Sequence, residues 1–259
     1  MKCLTLSLLL ILPSFAFSQK ADSLSQYSYL VISIKNKKPA KIQTGFLLKV
    51  KSKLFLVSSY HTFSSWDAYT NQRIYPICDT LEIRFKNKAT GKNEFILFDI
   101  AKIEKSSKYR PYYEKGDFYM FELKNLYQFS KFEMNIINYD PTITNYKKLN
   151  PSKIIAFGFP NERLNIKNES DLFKIDPIGI NGEIIGQIWQ KWSFNDSKEI
   201  DSINYRSSIR GYGGYSGSPV FWKVIVKGKE SFKFGGVVSG SSPDYKQLII
   251  CKPNNLTYK

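Results

Sequence analysis

The sequence predicts an all-β protein, and three observations carry that prediction. Short runs rich in β-branched, leucine and aromatic residues recur from residue 27 to residue 251. Polar turns such as Lys51-Ser52-Lys53 and Lys88-Ala89-Thr90-Gly91-Lys92 separate several of them. No segment sustains a helical apolar period, and only 125–137 is ambiguous. Many short strands at hairpin spacing point to a sandwich or a barrel arrangement.

In chain order, the first strands fall at 27–34 and at 44–50, the latter reading Thr44-Gly-Phe-Leu-Leu-Lys-Val50. A short turn then leads into 54–58, within Leu54-Phe-Leu-Val-Ser-Ser-Tyr60. Runs at 81–85, 94–103 and 117–123 follow, the last reading Asp117-Phe-Tyr-Met-Phe-Glu-Leu123. After them come 153–157, 182–189, 220–226, 232–239 and 247–251. The polar stretch 138–151, which contains Pro and Asn, is the best internal boundary. It divides the chain into two halves of comparable length, 19–140 and 141–259, with no evident repeat.

The first residues read as an export signal over 1–18. Lys2 is the basic start, an apolar run interrupted by Pro13 follows, and Ala16-Phe17-Ser18 offers small residues at the cleavage positions. The run is shorter than the roughly 20 apolar residues of a membrane span, so no span is expected after cleavage; a retained anchor is the alternative. The expected location is secreted or periplasmic. Cys3 precedes the apolar run, and Cys78 and Cys251 remain in the exported product, as a disulfide or as two buried thiols.

The 42% hydrophobic and 15% aromatic content argue for a folded core and against disorder. A formal net charge of +16 permits contact with an acidic protein or a polyanion. The lysines are spread along the chain without a long run, which favours a solvated basic surface and gives no sign of specific nucleic-acid recognition. One histidine and scattered cysteines provide no zinc-ligand cluster, and no cofactor is implied.

The sharpest local pattern is Gly211-Tyr-Gly-Gly-Tyr-Ser-Gly-Ser-Pro-Val220. As structure it is a hairpin loop before a strand. As chemistry it suits a nucleophile at Ser216, because the glycines let the chain turn sharply and let substrate approach. The N–H groups of Gly214 and Ser216 are then candidate donors to a developing oxyanion. A serine hydroxyl needs a base near neutral pH, imidazole is the best matched side chain, and His61 is the single histidine. The third member is a carboxylate that fixes the imidazole tautomer. Asp117, at the head of a buried run, is preferred over Asp99, inside Phe95-Ile-Leu-Phe-Asp-Ile100.

Together these pieces resemble the chymotrypsin/trypsin-like serine peptidase family. The order His61, Asp117, Ser216 is that family's order. Thr44-Gly-Phe and Leu56-Val-Ser-Ser-Tyr-His61 are similar to the strand pair leading to its histidine. Phe157-Gly-Phe-Pro160 is similar to the Gly-Tyr-Pro turn of bacterial members, and Gly214-Tyr-Ser-Gly-Ser-Pro219 to their Gly-Asn-Ser-Gly-Ser-Pro loop. Gly235-Gly-Val-Val-Ser-Gly240 resembles the strand that pairs with substrate. Two positions depart from the pattern: Tyr60 replaces a small residue, and Tyr215 an Asp or Asn.

The resemblance implies two six-stranded antiparallel β-barrels with the active site in the cleft between them. It implies a serine endopeptidase acting on protein or peptide substrates, with His61 and Asp117 from the first barrel and Ser216 from the second. It also implies that Arg210 lies at the floor of the pocket for the side chain before the scissile bond, with Ser239, Gly240 and Ser241 on the substrate strand. The reading from another class is a non-catalytic exported module that keeps the fold and binds through its basic surface.

Overall fold

The computed structural model describes residues 21–61, 66–67, 72–73, 78–99, 117–124, 126–139, 153–163, 167–194, 198–226, 228–242, 244 and 246–252. The expected export segment 1–18 and most of the boundary stretch 138–151 lie outside them. Regular structure is almost wholly strand, as the sequence predicts. The first half contains β1 (Tyr29–Lys35), β2 (Lys38–Val50), β3 (Lys53–Ser58), β4 (Trp66–Asp67), β5 (Gln72–Arg73), β6 (Thr80–Lys86), β7 (Asn93–Asp99), β8 (Tyr119–Glu122) and β9 (Ile136–Tyr139). Seven of these form one sheet in the order β7-β6-β1-β2-β3-β8, with β9 beside β2; β4 and β5 pair separately.

β2 serves two neighbourhoods. Its first part pairs with β1 as far as Gly45, opposite Tyr29. From Phe46 onward it pairs antiparallel with β3, and from Leu47 parallel with β9. Gly45 sits at the change-over, where an added Cβ would lie 2.8 Å from Val31 Cγ2, so a side chain there would push the strands apart. The first half is thus described as a sheet rather than as the closed, six-stranded antiparallel barrel expected. The parallel β2–β9 pair departs from that expectation. It arises because the expected linker is strand at its beginning: Asn138 and Tyr139 belong to β9.

The second half is a closed barrel. Its strands are β10 (Lys153–Gly158), β11 (Ile178–Phe194), β12 (Lys198–Ser207), β13 (Pro219–Val226), β14 (Lys229–Ser241) and β15 (Leu248–Cys251). They run in the order β10-β11-β12-β15-β14-β13, and β13 returns to pair with β10. Trp222, Val220, Val238 and Ile250 fill its interior.

Two apolar clusters join the halves. Phe46, Phe55 and Phe118 pack with Phe157, Phe221 and Phe234 in one of them, with the Phe46 and Phe234 rings 5.4 Å apart. In the other, Leu30, Ile32 and Ile34 meet Phe159 and Leu172. Arg84 of β6 closes this second cluster: its guanidinium donates to the carbonyls of Leu172 and Ile175, each at 2.5 Å, and lies over the Phe159 ring. Burial pushes its pKa down to about 10. Cys78 and Cys251 are buried in different clusters, and no disulfide joins them to each other.

Candidate active site

β3 pairs with β8 so that Ser58 faces Tyr119. This register brings the chain leaving β3 alongside the chain entering β8, and His61 meets Asp117 there. The His61 main-chain amide donates to Asp117 Oδ1 at 2.8 Å, and the ring Nδ1 makes a short contact with Asp117 Oδ2. Asp117 is 3% exposed, whereas the His61 side chain keeps 20% of its surface. A carboxylate fixed by the main chain therefore holds one ring nitrogen, which leaves Nε2 for outside partners. Asp99 ends β7 opposite Thr80, and Asp117 is the carboxylate partner of His61.

Ser216 lies in the loop between β12 and β13. That loop is tied to the His61 strand through Val238 of β14, whose carbonyl accepts from Ser59 Oγ at 3.0 Å and from the Gly217 amide at 2.8 Å. Gly217 has φ +85, and an added Cβ would lie 2.1 Å from Thr44 O and 2.2 Å from Ser58 Oγ. Only glycine allows that approach.

The preceding peptides are held just as closely. Gly214 has φ +91, and its Cβ would fall 2.1 Å from Phe159 O. The Gly213 carbonyl accepts from the Asn161 amide at 2.8 Å, and the Gly213 amide donates to Glu162 Oε1 at 3.0 Å. Among the described residues, neither the Gly214 nor the Ser216 amide donates to a protein acceptor. Gly214, at positive φ, and Ser216 thus carry two undonated amides two residues apart, the candidate donors to an anion.

The two tyrosines that depart from the pattern spend their bulk in the cores. Tyr60 stacks on Tyr119 with ring centres 6.1 Å apart. Tyr215 is fully buried inside the barrel, and its hydroxyl donates to Ile178 O at 3.2 Å. Arg210 is exposed, with its guanidinium 5.8 Å from the Tyr212 ring centre. Ser239 is buried and donates to Ile249 O, so its hydroxyl faces β15. Gly240 has open space where a side chain would begin, and Ser241 is half-buried. Among the described residues, no group of three His, Cys, Asp or Glu side chains gathers to hold a metal, and no helix is long and apolar enough to cross a membrane.

Sequence reasoning gave no role to Thr44, Ser59, Asn161 or Glu162, all of which fasten the serine loop or its neighbours. The only available hint was a threonine beside a glycine within the apolar run 44–50.

No protein-family model and no curated protein matches the sequence. Solved structures do match in shape, and these neighbours are chymotrypsin-like serine proteases. The Rv3671c protease from M. tuberculosis, in its active form, aligns with a TM-score of 0.52 at 11% identity, covering 94% of this chain and 83% of that one. A serine-to-alanine mutant of the same protein, in its inactive form, aligns at 0.51 and 12% identity, covering 94% and 89%. At such identities the likeness is one of fold.

Proposed function

We propose that the protein is an exported serine endopeptidase that cleaves peptide bonds through an acyl-enzyme on Ser216. The observation that carries this reading is the double hold of Asp117 on His61, which presents a single imidazole in one orientation. The protease fold of the structural neighbours supports it. In this reading residues 1–18 are removed on export, 19–140 form the first barrel with His61 and Asp117, and 141–259 form the second with Ser216.

His61 Nε2 takes the Ser216 hydroxyl proton as Oγ attacks the scissile carbonyl carbon. The carbonyl π electrons move to oxygen, and the amides of Gly214 and Ser216 receive the oxyanion. Collapse expels the amine, which takes the proton from His61, and leaves the acyl group on Ser216. Water, deprotonated by His61, then releases the acid and restores the serine. Asp117 stays ionised throughout and stabilises the imidazolium. Gly240 and Ser241 present the edge along which the peptide lies, Ser239 supports that edge from within the barrel, and Arg210 faces the side chain before the cut. The test is hydrolysis of a peptide library by residues 19–259. Activity that disappears in both Ser216→Ala and His61→Ala, by up to about 10⁶-fold, bears the reading out; full activity in either variant overturns it.

A further inference from the structure

We propose that Thr44 is a positioning residue, whose hydroxyl sets the anion-binding shape of the serine loop from across the boundary between the halves. The proposal rests on reading the Gly214 and Ser216 amides as the oxyanion donors.

Thr44 is fully buried in β2 of the first half, yet its polar groups serve the second. Its hydroxyl donates to the Gly214 carbonyl at 2.8 Å and accepts from the Phe159 amide at 3.1 Å. Its own amide donates to the Ser216 carbonyl at 3.2 Å. Its carbonyl accepts from Ser58 Oγ at 2.6 Å, three residues before His61. One residue thus holds the carbonyls of both residues whose amides are the proposed donors, and also the strand that delivers the base. Gly158 and Gly217 keep room for this: a Cβ at Gly158 would lie 2.8 Å from Thr44 Oγ1, and one at Gly217 would lie 2.1 Å from Thr44 O.

The loop needs such a clamp because Gly211, Gly213, Gly214 and Gly217 give it little stiffness of its own. A Gly214 carbonyl without its donor turns to find another, and the peptide planes beside it turn with it. A buried hydroxyl with one donated and one accepted bond prevents that rotation. Valine keeps the shape of threonine without the hydroxyl, so it separates these hydrogen bonds from packing.

The experiment compares Thr44→Ser, Thr44→Cys and Thr44→Val with the wild-type protein. It measures kcat and KM on one peptide and the Ki of a peptide aldehyde, whose adduct needs the same amides. Removing an oxyanion donor costs about 10²–10³ in kcat, so displacing the donors is expected to cost Thr44→Val about 10–100-fold. KM should change less than about threefold, and the aldehyde Ki should rise in step with kcat. Thr44→Ser is expected to restore kcat to within about threefold. Thr44→Cys, a weaker donor, should fall between serine and valine and carries the test if the valine variant does not fold. A folded valine or cysteine variant with wild-type kcat and aldehyde affinity overturns the role of Thr44 alone, provided the wild-type protein hydrolyses peptide. A wild-type protein that neither cleaves peptide nor binds the aldehyde overturns the acyl-transfer reading beneath it.

Discussion

Asp117 grips His61 at two points, one oxygen on the main-chain amide and the other on the ring Nδ1. The amide bond fixes where the carboxylate stands and the ring bond fixes which way the imidazole faces. Neither alone would do both. Because Asp117 is buried at the head of β8 while His61 keeps an exposed edge, the pair is anchored on one side and available on the other.

Asp117→Asn tests that arrangement. An amide in place of the carboxylate favours the wrong imidazole tautomer, so kcat for peptide hydrolysis should fall about 10⁴-fold. Circular dichroism should remain that of the wild-type protein. Asp99→Asn, at the far end of β7, should stay within about twofold of wild type. The reverse pattern would assign the carboxylate role to Asp99.

Arg210 leads to a prediction about substrate. Its guanidinium is exposed above the Tyr212 ring, and among the described residues no carboxylate pairs with it. In the proposed reading Arg210 faces the side chain before the cut, where a guanidinium would repel Lys and Arg and offer Asp or Glu a bidentate partner. Library profiling should show an acidic or uncharged preference and rejection of basic residues. Where Glu is preferred, Arg210→Ala should abolish the preference and leave Ser216 reactive. A preference for Lys or Arg before the cut would contradict the assignment.

How much of this could be read from the chain varied with the physics of each segment. β3 was legible because its apolar run is continuous and buried on both faces, and β13 because Val220, Phe221, Trp222 and Val224 are apolar and buried although Lys223 interrupts them and Ile225 is exposed. β12 escaped notice: Lys-Glu-Ile-Asp-Ser-Ile-Asn-Tyr-Arg-Ser is mostly polar, and its strand state comes from the long register it keeps with β11. The start of β2 escaped for a similar reason, since Lys38-Pro39-Ala40-Lys41 has no apolar signal. Its hairpin turns at Asn36 and Lys37, with φ 49 and 61, where Asn-Gly would have announced it. Asp79 secures that turn by accepting from the Asn36 amide and from Lys35 Nζ, both at 2.8 Å. At the site, the unique histidine and the glycine-flanked serine stood out. The interlocking of Thr44 with Gly214 and Ser216 did not, because it depends on contacts between distant halves of the chain.

Tyr29 predicts how stability changes in alkali. Its hydroxyl accepts from the Asn135 amide at 2.7 Å, and burial pushes its pKa from the ordinary tyrosine value of about 10 up to about 12. Below pH 10 the native and unfolded chains both keep the proton, and the contribution of Tyr29 is fully present. Between about pH 10 and 12 the unfolded chain loses the proton first, so stability falls by about 1.4 kcal/mol per pH unit from this group. In urea titrations the advantage of wild type over Tyr29→Phe should narrow across that window, with the remaining tyrosines common to both proteins. A constant difference from pH 9 to pH 11.5 would refute it.

The central claim is that Ser216 is an activated nucleophile, and covalent labelling measures this most directly. Residues 19–259 are treated with a fluorophosphonate, with the labelled residue located by mass spectrometry of the peptides. Ser216 Oγ attacks phosphorus and fluoride leaves, so the account predicts one phosphonyl group per chain, on Ser216. Labelling should be absent in Ser216→Ala and slowed by several orders of magnitude in His61→Ala. No adduct on well-folded wild-type protein, or equal labelling of wild type and Ser216→Ala, would contradict it.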